Sequence, residues 1–482
     1  MEKLFKKTIN QKIIQGGMGV GVSNYILVRT VSALGELGVV SGVMLDAMMT
    51  RRLQNGDLTG EIRHALEQFP NQNIADWIIN KYFIKNGKPL SQKYLNCPFP
   101  KFDVSSEKIL TLKSKNLEKL IVAANFVEVY LAKQGHNNPV GINYLHKIQW
   151  PIIPSIYGAM LAGVDVLLIG AGFPKEISNV INSLSKKDKA TMSMPVINGE
   201  NYLIEFNPLE ILSNHGELNP PKLFGIVSNH LGVKALLDVD GYIFENYTAG
   251  GHNAPSRIKK LTDKGEPDYG IKDEMDYKLL KTLLEKNAKK RNNILQPYWF
   301  AGSYADKLSE VLGIGATGIQ VGTPFAFCQE SGIEPKLKQK TLQEILSGGR
   351  TYTDPFVSPS GFPFKVFQSP GTISCQEIYK SRKRICNLGY LVELYEKNNV
   401  IGTRCPAENI ENYVKKGGDI NKTINKACLC NALFAKIGLG SSNEMPIITT
   451  GYDFSVVKLL VKKHGLNYTA KNVVDYILQE GN

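Results

Sequence analysis

Short apolar runs alternate with segments of helical periodicity along most of the chain. The runs predict eight buried strands, and most are followed by a stretch whose apolar positions recur every three or four residues. They lie at 13–21, where a strand leads into a glycine-rich loop, and at 39–45, 139–144, 165–172, 223–229, 239–244, 296–303 and 318–327. Eight strand-then-helix units over about 250 residues are typical of a (β/α)8 or TIM barrel. The sequence therefore predicts an α/β fold of this class.

Two regions do not follow the alternation. Residues 50–116 are polar and mixed, with helical pieces at 61–68 and 74–83, and they predict a helical insertion after strand 2 that caps the mouth of the barrel. Beyond residue 335 the eight units are complete, so residues 336–482 form a C-terminal extension. It opens with TDPFVSPSGFPFKV, whose prolines and aromatic residues indicate an ordered irregular segment. We expect a barrel domain over 1–335 with the extension packed on it.

The loops after the predicted strands carry the candidate chemistry, because barrels place function there. They read QGGMG, GIN, GAG, AGGH, AGS and VGT. Gly250 and Gly251 give the backbone room to approach a flat ligand, and His252 follows them directly. An imidazole with an ordinary pKa of about 6.5 is suited to proton transfer near neutral pH. His252 is therefore the candidate catalytic base, and a turn with a solvated histidine is the alternative.

Two further loops predict a phosphate site. Gly302 and Ser303 follow the seventh strand, and Ser303 is expected to cap a helix over 304–312. Gly322 and Thr323 follow the eighth strand, with a proline next, which is favoured in a first helical turn. Helix N-termini in these positions bind anions in many barrels. Two ordinary capped helices are the alternative interpretation.

The segment GIGATG at 313–318 matches the dinucleotide pattern G-x-G-x-x-G. It lies after a helical segment and before a strand, whereas the dinucleotide motif must follow a strand and open a helix. We therefore interpret it as a connecting loop and expect no Rossmann domain.

Composition and charge narrow the class of protein. The 482 residues are 43% hydrophobic and 21% charged, as in soluble globular proteins. The formal charge of +13 comes from scattered lysines, which indicate a solvated surface or attraction to phosphorylated cofactors, nucleotides or an acidic carrier protein. No basic block with interleaved aromatic residues predicts nucleic-acid binding, and no apolar run predicts a signal peptide or a membrane span. We expect a cytoplasmic enzyme.

Four cysteines of the extension, Cys386, Cys405, Cys428 and Cys430, follow one another with 18, 22 and 1 intervening residues. Four thiolates can hold zinc or an iron-sulfur cluster, but the paired C-x-x-C spacing is missing. Buried free thiols are the favoured interpretation, and the metal alternative stays open.

The motifs QGGMG, AGGH and GIQVGT resemble those of the nitronate monooxygenase family, barrels that bind flavin mononucleotide (FMN) and were once called 2-nitropropane dioxygenases. They also resemble flavin-dependent enoyl-acyl-carrier-protein reductases. ICNLGYL, RCPAEN, YVKKGG and CLCNAL are similar to a long bacterial subgroup of the family, so the resemblance covers nearly the whole chain.

The resemblance implies a role for each candidate residue. Gly16, Gly17 and Met18 would line the flavin ring, Asn143 would contact its polar edge, and Gly250 and Gly251 would lie beside it; Gly302, Ser303, Gly322 and Thr323 would hold the phosphate. AGS replaces a loop that more often has a second glycine. His252 matches the family's catalytic histidine.

The resemblance implies oxidation of alkyl nitronates by oxygen to a carbonyl compound and nitrite, with His252 removing a proton when the substrate is the neutral nitroalkane. The alternative is an NAD(P)H-dependent flavin reductase of an enoyl thioester or a quinone, and a flavin-binding scaffold without turnover is a third reading. An enzyme like inosine monophosphate dehydrogenase would need a nucleophilic cysteine, and none lies between Cys97 and Cys328.

Overall fold

The computed structural model describes residues 9–172, 175–213, 216–441 and 444–480. Eight parallel strands form a closed barrel, in which the first pairs with the last. The strands are β1 (Ile13–Gln15), β2 (Leu37–Ser41), β3 (Val140–Leu145), β4 (Val166–Gly170), β5 (Lys222–Val227), β6 (Gly241–Glu245), β7 (Tyr298–Ala301) and β8 (Gly318–Val321). Each overlaps one of the eight apolar runs, so the predicted (β/α)8 barrel is confirmed.

The inside of the barrel is filled by side chains. Val39, Leu168, Ile243 and Trp299 are all fully buried in one apolar cluster there. The Trp299 ring stacks on Phe224 at 5.1 Å between ring centres. Because the interior is a packed core, a ligand can enter only at an end of the barrel.

Seventeen α-helices are found in the described part of the chain. They are α1 (Tyr25–Ala33), α2 (Leu45–Gln54), α3 (Glu61–Glu67), α4 (Gln72–Tyr82), α5 (Lys115–Ala132), α6 (Ile152–Leu161), α7 (Ile177–Ser185), α8 (Gly232–Ala235), α9 (Tyr277–Lys289), α10 (Leu308–Gly313), α11 (Thr323–Ala326), α12 (Pro335–Leu346), α13 (Gln376–Ser381), α14 (Ile410–Lys415), α15 (Leu429–Lys436), α16 (Ser455–His464) and α17 (Ala470–Glu480). GIGATG joins α10 to β8 and is the connecting loop that the sequence predicts.

The insertion packs on the outside of the barrel. Its helices α2, α3 and α4 all contact α5, which also packs against α1 and α6. This explains why α5 is apolar on most of its circumference, with Leu120, Ile121 and Val129 all buried. The insertion also contributes Phe102–Val104 and Ile109–Leu112 to a four-stranded sheet with Ala190–Met194 and Tyr202–Phe206.

The extension supplies part of the ring of helices. Helix α17 packs against both α1 and α10, which follow β1 and β7. This is the place of the helix that normally follows β8. The expectation that the barrel is complete by residue 335 is therefore wrong for its helical layer, because α11 after β8 has only one turn.

No helix in the described ranges has the length and hydropathy needed to cross a membrane. The basic N-terminal residues 1–8, which bear on the expected absence of a signal peptide, lie outside the described residues.

Candidate functional site

A cavity of about 260 Å³ lies at the carboxyl ends of the barrel strands. It is lined by all eleven residues that the sequence analysis selected: Gly16, Gly17, Met18, Asn143, Gly250, Gly251, His252, Gly302, Ser303, Gly322 and Thr323. These residues come from five different strand ends and are brought together only by closure of the barrel.

The QGGMG loop after β1 is held by buried polar side chains. The amide of Gln15 donates to Ser23 Oγ (2.7 Å), and Ser23 Oγ donates to the carbonyl oxygen of Gly16 (2.9 Å). Asn143 Nδ2 donates to the carbonyl oxygen of Gly17 (3.1 Å). A Cβ atom on Gly17 would lie only 2.4 Å from Cβ of Asn143, so this loop approaches β3 as closely as glycine alone permits.

The glycine-histidine loop after β6 is hydrogen bonded to two separate segments of the extension. Gly251 donates its amide to Thr449 Oγ1 (2.8 Å) and accepts from the amide of Lys365 (2.8 Å). Gly250 packs against the backbone of Thr450 and Gly451. The φ angle of Gly251 is +82°, which favours glycine, and nothing lies within 4 Å of the position of an added Cβ. The loop is therefore ordered by contacts with the extension.

His252 is oriented by a serine of the extension. Its Nε2 lies 2.7 Å from Oγ of Ser358, which is fully buried and is hydrogen bonded in turn to Ser360 Oγ (2.8 Å). The ring packs edge-on against Phe364 at 4.7 Å between ring centres. With a proton on Nε2, the imidazole donates to Ser358 and presents the lone pair of Nδ1.

The surroundings of His252 keep the imidazole neutral. Burial lowers its pKa well below the usual range, and the nearby Lys147 lowers it further. Nζ of Lys147 is itself buried, has no hydrogen-bond partner among the described residues and lies 4.8 Å from the centre of the Phe362 ring. Burial also lowers the pKa of Lys147. A neutral imidazole can accept a proton at neutral pH.

The two candidate phosphate loops differ from the prediction in one respect. Ser303 does not cap a helix: its φ angle is +58°, and α10 begins only at Leu308, after the N-cap residue Lys307. Gly302 precedes it with φ of +91°, so two successive residues are left-handed. Thr323 is the first residue of α11, and its hydroxyl accepts from the amide of Gly451 (2.9 Å).

Four polar atoms around the cavity are buried without a partner among the described residues. They are Oγ of Ser41, Oδ1 of Asn143, Oγ1 of Thr248 and Oε1 of Gln320. Buried polar atoms are nearly always hydrogen bonded in folded proteins. The cavity is therefore suited to a ligand that carries several polar atoms.

The extension covers the mouth of the barrel, and the insertion does not line the cavity. No described residue of 50–116 lines it, whereas Tyr390, Leu433 and Thr450 of the extension do. Lys436 of α15 also reaches it, and Nζ donates to the carbonyl oxygen of Gly19 (2.9 Å). Burial lowers the pKa of Lys436 to about 7. The expectation that the insertion caps the mouth of the barrel is wrong, because the helices of the insertion pack against α5 instead.

Several of these residues are absent from the sequence-based candidates. Ser358 and Lys365 lie inside TDPFVSPSGFPFKV, which was interpreted only as a segment on the barrel. Glu245 ends an apolar strand and lines the cavity. A carboxylate at the end of such a strand was the available signal for Glu245. Lys436 has no comparable signal, since a single lysine on a helix is usually solvated.

The four cysteines of the extension lie in two adjacent pairs. The thiols of Cys386 and Cys405 interact, as do those of Cys428 and Cys430, and all are free. Within the described ranges, no group of three or more potential ligands is placed to hold a metal ion.

No protein-family model matches the chain, and no curated protein matches it either. Among solved structures, a FabK variant from Thermotoga maritima is 15% identical, with a TM-score of 0.44 over 98% of this chain and 93% of that chain. A nitroalkane oxidase from Streptomyces ansochromogenes is 14% identical, with a TM-score of 0.42 over 98% and 96%. The enoyl reductase domain of MlnA from the macrolactin biosynthesis cluster of Bacillus amyloliquefaciens is 11% identical, with a TM-score of 0.49 over 98% and 94%.

Proposed function

We propose that this protein is an FMN-dependent oxidoreductase that oxidises small alkyl nitronates or nitroalkanes with oxygen, in the manner of a nitronate monooxygenase. The observation that carries the proposal is the cavity itself. Loops selected for flavin contacts, phosphate contacts and proton transfer line one cavity, and a neutral histidine lies in its wall. The sequence resemblance at QGGMG, AGGH and GIQVGT supports the same activity.

The residues present fit a flavin. The unpartnered oxygens of Asn143 and Gln320 can accept hydrogen bonds from a polar heterocycle. Gly16, Gly17 and Met18, together with Gly250 and Gly251, would line the ring, and Gly302, Ser303, Gly322 and Thr323 would hold the phosphate. When bound, the flavin would accept electrons from the substrate and return them to oxygen.

The proton chemistry falls to His252. Its neutral imidazole would take the proton from the carbon next to the nitro group, and Ser358 would keep the ring in one orientation throughout. Lys147, which lowers the pKa of His252, would keep the imidazole in its neutral, basic form. The extension, which supplies much of the cavity lining, would limit the access of water.

A second candidate is an NAD(P)H-dependent flavin reductase of an enoyl thioester or quinone. The carboxyl group of Glu245 favours it. Burial raises the pKa of Glu245 to about 7, so a large fraction is protonated at neutral pH and can give a proton to a substrate carbon. An anionic nitronate would need no such acid. The positive net charge would suit an acidic carrier protein.

The visible spectrum of the purified protein tests both candidates. NADPH, NADH and an alkyl nitronate are added in turn without oxygen. Loss of the flavin absorbance with nitronate alone supports the monooxygenase. Rapid loss with a nicotinamide cofactor makes the protein a reductase, and a protein that takes up no flavin contradicts both.

A further inference from the structure

A second pocket, of about 540 Å³, lies in the extension. Ser360 and Lys426 line it, and three other lining residues, Phe356, Asn421 and Lys422, are exposed, so the pocket opens to solvent. It shares no described lining residue with the barrel cavity. The mechanism proposed above gives this pocket no role.

Two serine hydroxyls join His252 to the second pocket. Nε2 of His252 lies 2.7 Å from Oγ of Ser358, and Oγ of Ser358 lies 2.8 Å from Oγ of Ser360. Ser358 is fully buried, whereas Ser360 is partly exposed. An unbroken row of hydrogen bonds therefore leads from the candidate base to the second pocket.

The amide of Ser360 sets the direction of this row. It donates to Oγ of Ser358 (3.3 Å), and a protonated Nε2 of His252 donates to the same oxygen. A serine hydroxyl has two acceptor lone pairs and one donor. Both lone pairs of Ser358 are then used, so its own proton points to Oγ of Ser360. The proton of the Ser360 hydroxyl is left for water in the second pocket.

The backbone around Ser358 holds the row in place. The carbonyl oxygen of Ser358 accepts from Nζ of Lys426 (2.9 Å) and from the amide of Gly361 (3.2 Å). His252 itself forms a β-bridge with Phe364 of the same segment. The imidazole and the two hydroxyls are therefore held by one locally ordered piece of the extension.

We propose that Ser358 and Ser360 form a proton relay, which carries the proton taken by His252 from the barrel cavity to solvent in the second pocket. The inference rests on the proposed function, because the proton that His252 removes from a nitroalkane must leave the site. Two nitroalkanes and one oxygen molecule give two carbonyl compounds, two nitrite ions and two protons. One proton is therefore released for each nitroalkane oxidised.

Each step of the relay moves one proton. Since Nε2 of His252 is bound to Ser358, the substrate carbon gives its proton to Nδ1. The imidazolium gives its Nε2 proton to Ser358, Ser358 gives its own proton to Ser360, and Ser360 gives one to water. His252 is then neutral, with its remaining proton on Nδ1, before the product leaves. The loss of the positive charge also weakens the hold of the site on the nitrite anion.

Product release restores the starting tautomer of His252. Water that replaces the product accepts the proton from Nδ1, and Nε2 regains a proton along the same row in the reverse direction. These two movements cancel in the proton count, so one proton is released in the whole turnover. Burial lowers the pKa of His252, which makes the imidazolium a ready proton donor.

A turn without proton transfer would explain the two serines less well. A serine hydroxyl that binds the backbone two residues further on is a common feature of turns, and it accounts for Ser358. Such a turn requires no hydroxyl at residue 360. The hydroxyl of Ser360 nevertheless lies within hydrogen-bond distance of Ser358, in a residue that lines the second pocket.

Proton exchange at His252 tests the relay without any substrate. Nuclear magnetic resonance of the purified protein with isotopically labelled histidine measures how fast the Nε2 proton exchanges with water, and His252→Asn identifies the signal. In Ser360→Ala, which keeps the bond between Ser358 and His252, exchange should be at least about tenfold slower. Asn421→Ala is the matched control, because Asn421 is exposed in the same pocket and lies outside the row. Equal exchange rates in the two variants would overturn the relay.

Kinetics separate proton exit from a role in positioning His252. In Ser360→Ala, a nitroalkane should bleach the flavin without oxygen at the original rate, because the first proton only has to reach His252. Steady-state turnover of the nitroalkane should fall about tenfold, and turnover of preformed nitronate should fall much less. Unchanged nitroalkane turnover, or an anaerobic step that slows as much as turnover does, would overturn the relay.

Failure of the relay and failure of the proposed function remain distinguishable. A protein that binds no flavin, or reacts with neither nitroalkane nor nitronate, contradicts the proposed function, whereas the exchange measurement at His252 still decides the relay. Normal oxidation of nitroalkanes together with equal exchange rates in Ser360→Ala and Asn421→Ala contradicts the relay alone.

Discussion

Oγ of Ser358 and Nε2 of His252 are joined by a hydrogen bond of 2.7 Å. Ser358 belongs to the extension, whereas His252 belongs to the barrel. The serine therefore holds one ring nitrogen of the imidazole in place. The amide of Lys365 and the hydroxyl of Thr449 also bind the preceding glycine, Gly251. The extension is therefore a structural part of the candidate active site.

His252→Asn should retain the flavin and lose turnover of neutral nitroalkanes by a factor of about 100 or more, because an amide cannot act as a base near neutral pH. Steady-state rates with nitroalkane and with preformed nitronate check this. Nitronate turnover should be much less affected, because its proton is already absent. Equal rates of the variant and the original protein on nitroalkane would remove His252 from the mechanism.

Ser358→Ala should lower turnover about tenfold, with a small change in KM, since a lost hydrogen bond of about 1.5 kcal/mol lets the imidazole turn. The measurement is kcat and KM on the same nitroalkane. Ser381→Ala is the control, because Ser381 is exposed at the end of a helix in the same extension. A turnover number that is equal in both variants would show that Ser358 does not position His252.

Lys147→Met should move the acid limb of the pH-rate profile to higher pH. Burial and then Lys147 lower the pKa of His252, and a base is lost when the pH falls below its pKa. Removal of the lysine raises that pKa, so activity should disappear at a higher pH than in the original protein. Profiles of kcat/KM decide the point, and an acid limb that does not move, or that moves downward, would contradict it.

Gly17→Ala should reduce flavin affinity at least tenfold, because an added methyl group lies 2.4 Å from Cβ of Asn143 and must displace the loop or β3. Flavin content after dialysis measures the effect. Gly313→Ala is the matched control, since nothing lies within 4 Å of its added Cβ. Full flavin content in Gly17→Ala would show that this loop does not contact the cofactor.

Lys436→Met should stabilise the protein by about 2 kcal/mol at neutral pH, as the desolvation of a buried amine exceeds the loss of one hydrogen bond. Burial lowers the pKa of Lys436 to about 7, so the folded state binds fewer protons than the unfolded state between about pH 7 and pH 10.4. The destabilisation is therefore complete below about pH 7 and disappears as the pH rises toward 10.4. Thermal unfolding should show a larger gain at pH 6 than at pH 9, and the reverse order would contradict the assignment.

The barrel strands could be predicted because each is buried on both faces and reads as a short apolar run. Helix α9 also has a clear local basis, since Leu280, Leu283 and Leu284 share one face and Asp276 caps its first turn. The loops that line the cavity follow from the same strand assignments, because a closed barrel brings all carboxyl ends to one side.

The remaining features depend on contacts between distant parts of the chain. Ser303 has the residue type of a helix cap, but its backbone is left-handed, and α10 begins only after the N-cap residue Lys307. Ser358 and Lys365 are polar residues in a proline-rich segment without periodicity, so nothing local indicates that Ser358 binds His252 and that the amide of Lys365 binds Gly251. The insertion looks like a cap because it interrupts the barrel units, yet the apolar faces of its helices pack on α5.

The position of α17 has a consequence for the order of folding during synthesis. Helix α17 contacts α1 but is synthesised after every other helix and strand of the described fold. Until then α1 and α10 each keep a side that α17 does not yet cover. Contacts between such distant segments slow folding, and the partly formed states expose surface that promotes aggregation. The nascent chain therefore exposes this surface between the synthesis of α1 and that of α17, and the positive net charge that it carries opposes self-association.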